Sequence, residues 1–323
     1  MTHRLGRIKL PREQSEALRK AIFWEWFTIA YTSVGIVLVA FVVGGSQAMK
    51  TAWIEDMLTL VSQLAFLIAL RFVRRPPSGR FPYGRHRAMA VGHLVSGVAL
   101  FSVGATLAVD SASSLIAVEH PSIGSVRLFG HTIWLGWLMI AVMIVVAIGP
   151  LIHGRRKARL APVLHDKALY ADADMAKADW TTGLATIVGV LGVGIGLWWL
   201  DSAAALFISA GIVVDGVRNV RAAVSDLMDQ RARTVDSAKP EPLIDAVITR
   251  TMLARWVREC GVRMRDMGHV FHIEVFVVPR HGRVRVANLD RLSKDIAALD
   301  WRAQDVVISP VENLPEEARG DAA

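Results

Sequence analysis

Residues 53–73 read W-I-E-D-M-L-T-L-V-S-Q-L-A-F-L-I-A-L-R-F-V. The stretch is as long as a membrane-crossing helix, which needs about 20 residues. Its second half is almost wholly apolar, yet its first half carries Glu55, Asp56, Thr59, Ser62 and Gln63. A charged group at the centre of a bilayer costs between roughly 3 and more than 10 kcal/mol, so such groups face a cavity or a partner. The rest of the chain has to supply one.

Composition narrows the class. The chain has 323 residues, 53% of them hydrophobic, with a mean hydropathy of +0.39 and a formal net charge of +8. That combination fits apolar spans joined by basic loops. A pI of about 10.0 also suits nucleic-acid binding, but a DNA-binding domain would not carry several apolar runs of about 20 residues. No nucleic acid partner is expected. One cysteine, Cys260, excludes an intramolecular disulfide. The first apolar run begins near Ile22, after a basic leader, and no small-residue cleavage site follows it, so no cleaved signal is expected.

Six runs qualify as spans: 22–43, 53–73, 88–117, 129–152, 168–198 and 202–222. The leader (1–21) is basic, with Arg4, Arg7, Lys9, Arg12, Arg19 and Lys20. The loop after the second span carries Arg71, Arg74, Arg75, Arg80, Arg85 and Arg87, and the loop after the fourth carries Arg155, Arg156, Lys157 and Arg159. The opposite loops offer only Lys50 and Arg127. The positive-inside rule then places both termini in the cytoplasm of a multi-pass membrane protein, in the plasma or inner membrane if the source is bacterial. Trp53, Trp134, Trp137, Trp198 and Trp199 gather near the predicted outer ends, as an aromatic belt would. The expected fold is thus an α-helical membrane protein with six transmembrane helices over 22–225. A linker (226–240), a cytoplasmic α+β domain (241–312) and a disordered tail (313–323) follow. In the α+β domain an amphipathic helix covers 243–257, two strands flank Met267-Gly268, and a helix and a strand follow.

Two membrane stripes carry the chemistry. Glu55, Thr59 and Ser62 share one helix face, with Asp56 and Gln63 on its flank; in the fifth span Asp172, Met175 and Asp179 share another. Facing acidic stripes repel when ionised, and a bound cation removes that cost while taking oxygen ligands. The alternative is that Glu55 and Asp56 lie at the outer interface and Asp172 and Asp174 mark the inner end of the fifth span, as interfacial acids that suit helix N-termini. No nucleophile–base arrangement is present, so no enzyme is expected.

The loop R-R-P-P-S-G-R-F-P-Y-G-R-H-R-A (74–88), the A-D-x6-D of 171–179, D-S-A-A-A-L-F-I-S-A-G (201–211) and S-D-L-M-D-Q-R (225–231) resemble the cation diffusion facilitator, or cation efflux, family. The likeness covers about residues 20–312. It implies six helices plus a ferredoxin-like cytoplasmic domain, a homodimer, and export of divalent cations in exchange for protons. It also implies a four-residue transport site that matches Glu55, Thr59, Met175 and Asp179 here, with Asp56 and Asp172 as secondary candidates. The family's usual His/Asp set is therefore Glu, Thr, Met, Asp in this chain. Its loop site matches Ser78, Phe81 and Arg85, and its cytoplasmic site matches Cys260, Glu274, Ser309 and Val311. His269, His272 and His281 lie nearby but off the pattern, with His269 and His272 on opposite strand faces.

Without histidine the set is a poor zinc site, because Zn²⁺ favours nitrogen and sulfur in a tetrahedron. Carboxylates and a hydroxyl suit Mn²⁺, Fe²⁺ or Mg²⁺, and the thioether suits softer ions, so Mn, Fe, Co, Ni, Cd or Mg is expected before Zn. The ion is cargo, and no resident cofactor is expected. Proton coupling would fall on Glu55 and Asp179. The alternative function is a transport-inactive scaffold or regulatory subunit of an efflux-type dimer.

Overall fold

The computed structural model describes residues 11–75, 78–128, 130–267 and 270–318. Six long helices make the membrane-sized part: α1 (Arg12–Val42), α2 (Gln47–Val73), α3 (Ala88–Ile116), α4 (Leu135–Leu164), α5 (Lys167–Gly194) and α6 (Trp199–Leu227). Five of them, all but α5, are long and apolar enough to cross a membrane. Helix α5 is as long, but its first half holds Lys167, Asp172, Asp174, Lys177 and Asp179, which interrupt its apolar run. Large apolar side chains such as Phe41, Val109 and Phe207 are left exposed on the bundle's outer faces. A patch of that extent would be an aggregation liability in water, and lipid covers it.

Close helix approach depends on small residues. A Cβ built at Gly216 of α6 would meet the backbone N of Phe101 at 2.4 Å, and one at Gly104 of α3 would meet Ile212 at 2.8 Å. Helices α3 and α6 therefore pack backbone to backbone, as small residues allow in membrane bundles. Helix α2 is fixed at its first turn by α6. Buried Asp201 accepts from Ser46 Oγ (2.6 Å), Gln47 N (2.6 Å) and Ala48 N (3.4 Å). The two amides are N–H groups the helix cannot satisfy internally.

Several boundaries differ from the sequence expectation. Helix α1 starts at Arg12, inside the expected leader, because Ala17 and Ala21 pack on Ala161, Leu164 and Leu169. The fourth span, expected from residue 129, starts at Leu135. Ahead of it β1 (Ser125–Leu128) and β2 (His131–Trp134) form an antiparallel hairpin whose turn uses Gly130 at φ +83°. The basic run at 155–159, expected in a loop, is helical, since α4 continues through Pro150 and Pro162 to Leu164.

The C-terminal part is a small α+β unit: α7 (Leu243–Met252), β3 (Val257–Asp266), β4 (Phe271–Pro279), α8 (Val286–Ala297) and β5 (Ala303–Pro310). Strand β4 is central, antiparallel to β3 and parallel to β5. Its Ile273, Val275 and Val277 are fully buried against Val247, Val262, Leu292 and Ile296. Helix α7 is five residues shorter than expected, since a turn at 253–256 redirects the chain into β3. The expected linker is tied down too: Ala232 joins the core, and Arg231 bridges to Arg265. Tail residues 316–318 form a helical turn with Ala318 buried over Gly261, so the tail is ordered up to there. His269, the Pro76-Pro77 pair and Arg4, Arg7 and Lys9 of the leader lie outside the described residues.

Candidate cation site between two membrane helices

Three carboxylates share one small cavity where α2, α4 and α5 meet. Its walls are Ala52, Glu55 and Asp56 of α2, Met143, Val146, Ala147 and Pro150 of α4, and Asp179, Thr182 and Gly183 of α5. The α-helical repeat explains the set. Ala52, Glu55 and Asp56 are one turn apart on α2, as are Asp179, Thr182 and Gly183 on α5. Thr182 Oγ1 donates to Glu55 Oε1 at 3.4 Å, which joins the two helices directly. Pro150 has no N–H to offer the carbonyl of Val146 one turn earlier, so α4 lacks that one backbone hydrogen bond beside the cavity. The space is about 20 Å³, enough for one water-sized occupant, which needs roughly 10–15 Å³.

The sequence-derived site residues divide between this cavity and its surroundings. Glu55, Asp56 and Asp179 come together here. Thr59 does not line the cavity; its hydroxyl donates to the Glu55 carbonyl one turn back at 3.2 Å. Met175 lies one turn nearer the C-terminal unit, where its sulfur accepts from Asn219 Nδ2 at 3.8 Å and it packs against Leu58 and Leu100. Asp172 is in an ion pair: Lys157 Nζ of α4 is 2.6 Å from its carboxylate and 3.1 Å from Glu25 of α1. Lys157 is fully buried and Glu25 nearly so. Among the described residues no three Asp, Glu, His or Cys side chains converge closely enough to hold a metal ion as they stand.

Thr182 was missed, although its place three residues after Asp179 on the same face was readable. Glu25 and Lys157 were missed because each looked ordinary, one in a nominal first span and the other in a basic run.

The other expected metal positions hold different contacts. In the loop, Ser78 and Phe81 exchange backbone hydrogen bonds, and the Arg85 guanidinium lies 4.5 Å from the Phe81 ring centre. In the sheet, Cys260 pairs with Val277 and its thiol points at the Ile248 carbonyl, away from Glu274, which is bound by Arg263 at 2.5 Å. His272, on β4, bridges the Asp305 and Glu274 carboxylates. The bond to Asp305 raises the His272 pKa against the opposing effect of burial. The Tyr83 ring meets His272 edge-on at 6.4 Å, joining the Arg-rich loop to the sheet.

Asp215 pairs with Arg218 at 3.6 Å. At the junction with the C-terminal unit, Lys167 binds Asp226 and Asp266, and Asp229 accepts from Arg87 and Arg265.

Known proteins match most of this chain. The family profile described as the cation efflux transmembrane domain matches residues 23–228. The uncharacterized transporter YdbO of Bacillus subtilis is 25% identical over 207 residues, covering 62% of this chain and 66% of that protein. The uncharacterized transporter sll1263 of Synechocystis is 22% identical over 211 residues, covering 62% of this chain and 61% of that protein. The match thus spans a little under two thirds of the length of these curated relatives.

Proposed function

The chain belongs to the cation efflux family, and from that premise we propose that it carries divalent metal cations out of the cytoplasm, with Glu55 and Asp179 as the principal ligands. The supporting observation is the meeting of Glu55, Asp56 and Asp179 from two helices in one ion-sized cavity. Three carboxylates facing one another are unfavourable without a cation or protons between them. Asp56 and Thr182 complete an oxygen-rich set that suits Mn²⁺, Fe²⁺ or Mg²⁺ better than Zn²⁺. In this reading Thr59 and Met175 stand one turn along the path and are not ligands of this cavity. Helix α5 crosses the membrane as a sixth span, its acids turned toward α2 and α4.

The exchange ion is the proton. Cation and protons compete for the same carboxylates, so an ion leaving on the outer side is replaced by protons that return inward. Both termini and the C-terminal unit lie in the cytoplasm, supported by the Arg-rich loop, the 155–159 run and the sheet all sitting at one end of the bundle. The C-terminal unit takes the ferredoxin-like role of pairing two copies into a homodimer.

The test is cation-driven proton flux in proteoliposomes that enclose a pH dye, challenged with Mn²⁺, Fe²⁺, Co²⁺, Ni²⁺, Cd²⁺, Mg²⁺ and Zn²⁺ in turn. Flux with at least one ion, abolished by Glu55→Gln and by Asp179→Asn, is expected. Folded protein giving no flux with any of the seven would sink the reading and leave a scaffold.

A further inference from the structure

A second polar chamber lies between the candidate site and the C-terminal unit. It is lined by Glu25 of α1, Gln63 of α2, His93 of α3, Asp172 and Met175 of α5 and Asn219 of α6, among others. Gln63 is eight residues beyond Glu55, and Asp172 is seven before Asp179. At 1.5 Å per residue both spacings put the chamber about 10–12 Å from the first cavity along the helix axes. His93 and Met89 also line a third cavity, bounded by Asp166, Lys167, Asp226 and Asp266 at the junction with the C-terminal unit. Cavities that each carry polar side chains therefore follow one another from that junction toward Glu55.

Two observations separate this chamber from an ordinary packing gap. The first is unmet hydrogen bonding. Gln63 is 1% exposed and both its amide oxygen and nitrogen lack a partner, as do Glu25 Oε2 and His93 Nε2. Buried polar groups are nearly always paired, so four such atoms around one space point to an occupant. The second is charge. Glu25 and Asp172 share a single counterion, Lys157, so one of the two buried carboxylates needs a proton or a second cation. Water answers the first need, and a cation that exchanges with a proton answers the second.

We propose that this chamber is a second binding site for the divalent cation, an inner station on the way to Glu55 and Asp179; the inference rests on the transport reading above. Glu25 Oε2, Gln63 Oε1, His93 Nε2 and the Met175 thioether give two oxygens, a nitrogen and a sulfur. That mixture suits a first-row transition ion such as Co²⁺ or Fe²⁺ better than Mg²⁺. The chamber offers about 40 Å³, room for an ion with one or two of its waters at roughly 10–15 Å³ each. Lys157, bound to both carboxylates, offsets much of the negative charge there, which favours release over trapping.

Equilibrium dialysis of the full-length, detergent-solubilised protein against Co²⁺, with metal counted by mass spectrometry, tests this. Wild type is expected to bind two Co²⁺ per chain and the double variant Glu55→Gln/Asp179→Asn one. Adding Gln63→Leu to that double variant is expected to weaken the remaining site at least tenfold. Glu25→Gln provides the second check, each variant being first shown to unfold cooperatively. Wild type binding a single Co²⁺ that Glu55→Gln/Asp179→Asn removes would overturn the inner site and leave the proposed function standing. A single Co²⁺ that survives that double variant and is lost with Gln63→Leu would support the chamber and overturn the Glu55–Asp179 site. A retained Co²⁺ indifferent to both Gln63→Leu and Glu25→Gln would overturn the chamber.

Discussion

The ammonium of Lys157 lies 2.6 Å from the Asp172 carboxylate with no exposure to solvent, so α4 and α5 are joined by a buried charge pair that also takes in Glu25 of α1. A pair of this kind adds little over a well-packed apolar one, but removing one partner strands the others, at about 3–5 kcal/mol. Lys157→Met should therefore lower the unfolding temperature sharply. The same change combined with Glu25→Gln and Asp172→Asn should recover most of the loss. Thermal unfolding of the four single and combined variants in one detergent checks this, and a harmless Lys157→Met would refute it.

Thr182 links the two helices of the candidate site through Glu55. Thr182→Val keeps the shape and removes the hydroxyl, and a bond of this type contributes about 1 kcal/mol. The expected result is an apparent cation affinity about five- to tenfold weaker with little change in stability, while Thr182→Ser stays near wild type. Flux measured against cation concentration distinguishes them.

Asp201 satisfies the first turn of α2 by accepting three hydrogen bonds on a fully buried carboxylate. Asp201→Ala should cost about 2–3 kcal/mol, since it removes both a cap and a charged acceptor. Amides 47–49 should lose hydrogen-exchange protection, with Asp201→Asn intermediate. Unchanged protection at Gln47 would contradict this role.

His272 makes the C-terminal unit pH-sensitive. Its pKa is raised in the folded protein, chiefly by Asp305, so its contribution is complete below the unfolded value of about 6.5. That contribution is lost as pH rises through the higher folded value. The difference in unfolding temperature between wild type and His272→Gln should accordingly shrink from pH 6 upward. A difference that grows with pH would show the opposite linkage.

Much of this was legible in the sequence, and the exceptions share a cause. Apolar periodicity gave all six long helices and the order of the C-terminal elements, because each has to bury one face. The acids at 55, 56 and 179 stood out because charge is rare in apolar runs. Lys157 did not, because three arginines surround it and a basic run normally faces solvent. Only its place four residues after buried His153, on the stripe that continues through Ala161 and Leu164, marked it as an inward-facing residue. Gln63 and His93 were visible but uninformative, since a lone polar residue in a span acquires meaning only from what other helices bring opposite it. The hairpin at 125–134 was hidden because Ile133 and Trp134 extend the apolar run that follows.

The bond network at Asp201 makes α2 a lever with a fixed fulcrum. Counted from the capped end at Ser46, Glu55 is about 13 Å along the axis and Gln63 about 25 Å. Any tilt of α2 about that end swings Gln63 roughly twice as far as Glu55, so the inner chamber changes width before the Glu55–Asp179 cavity is much disturbed.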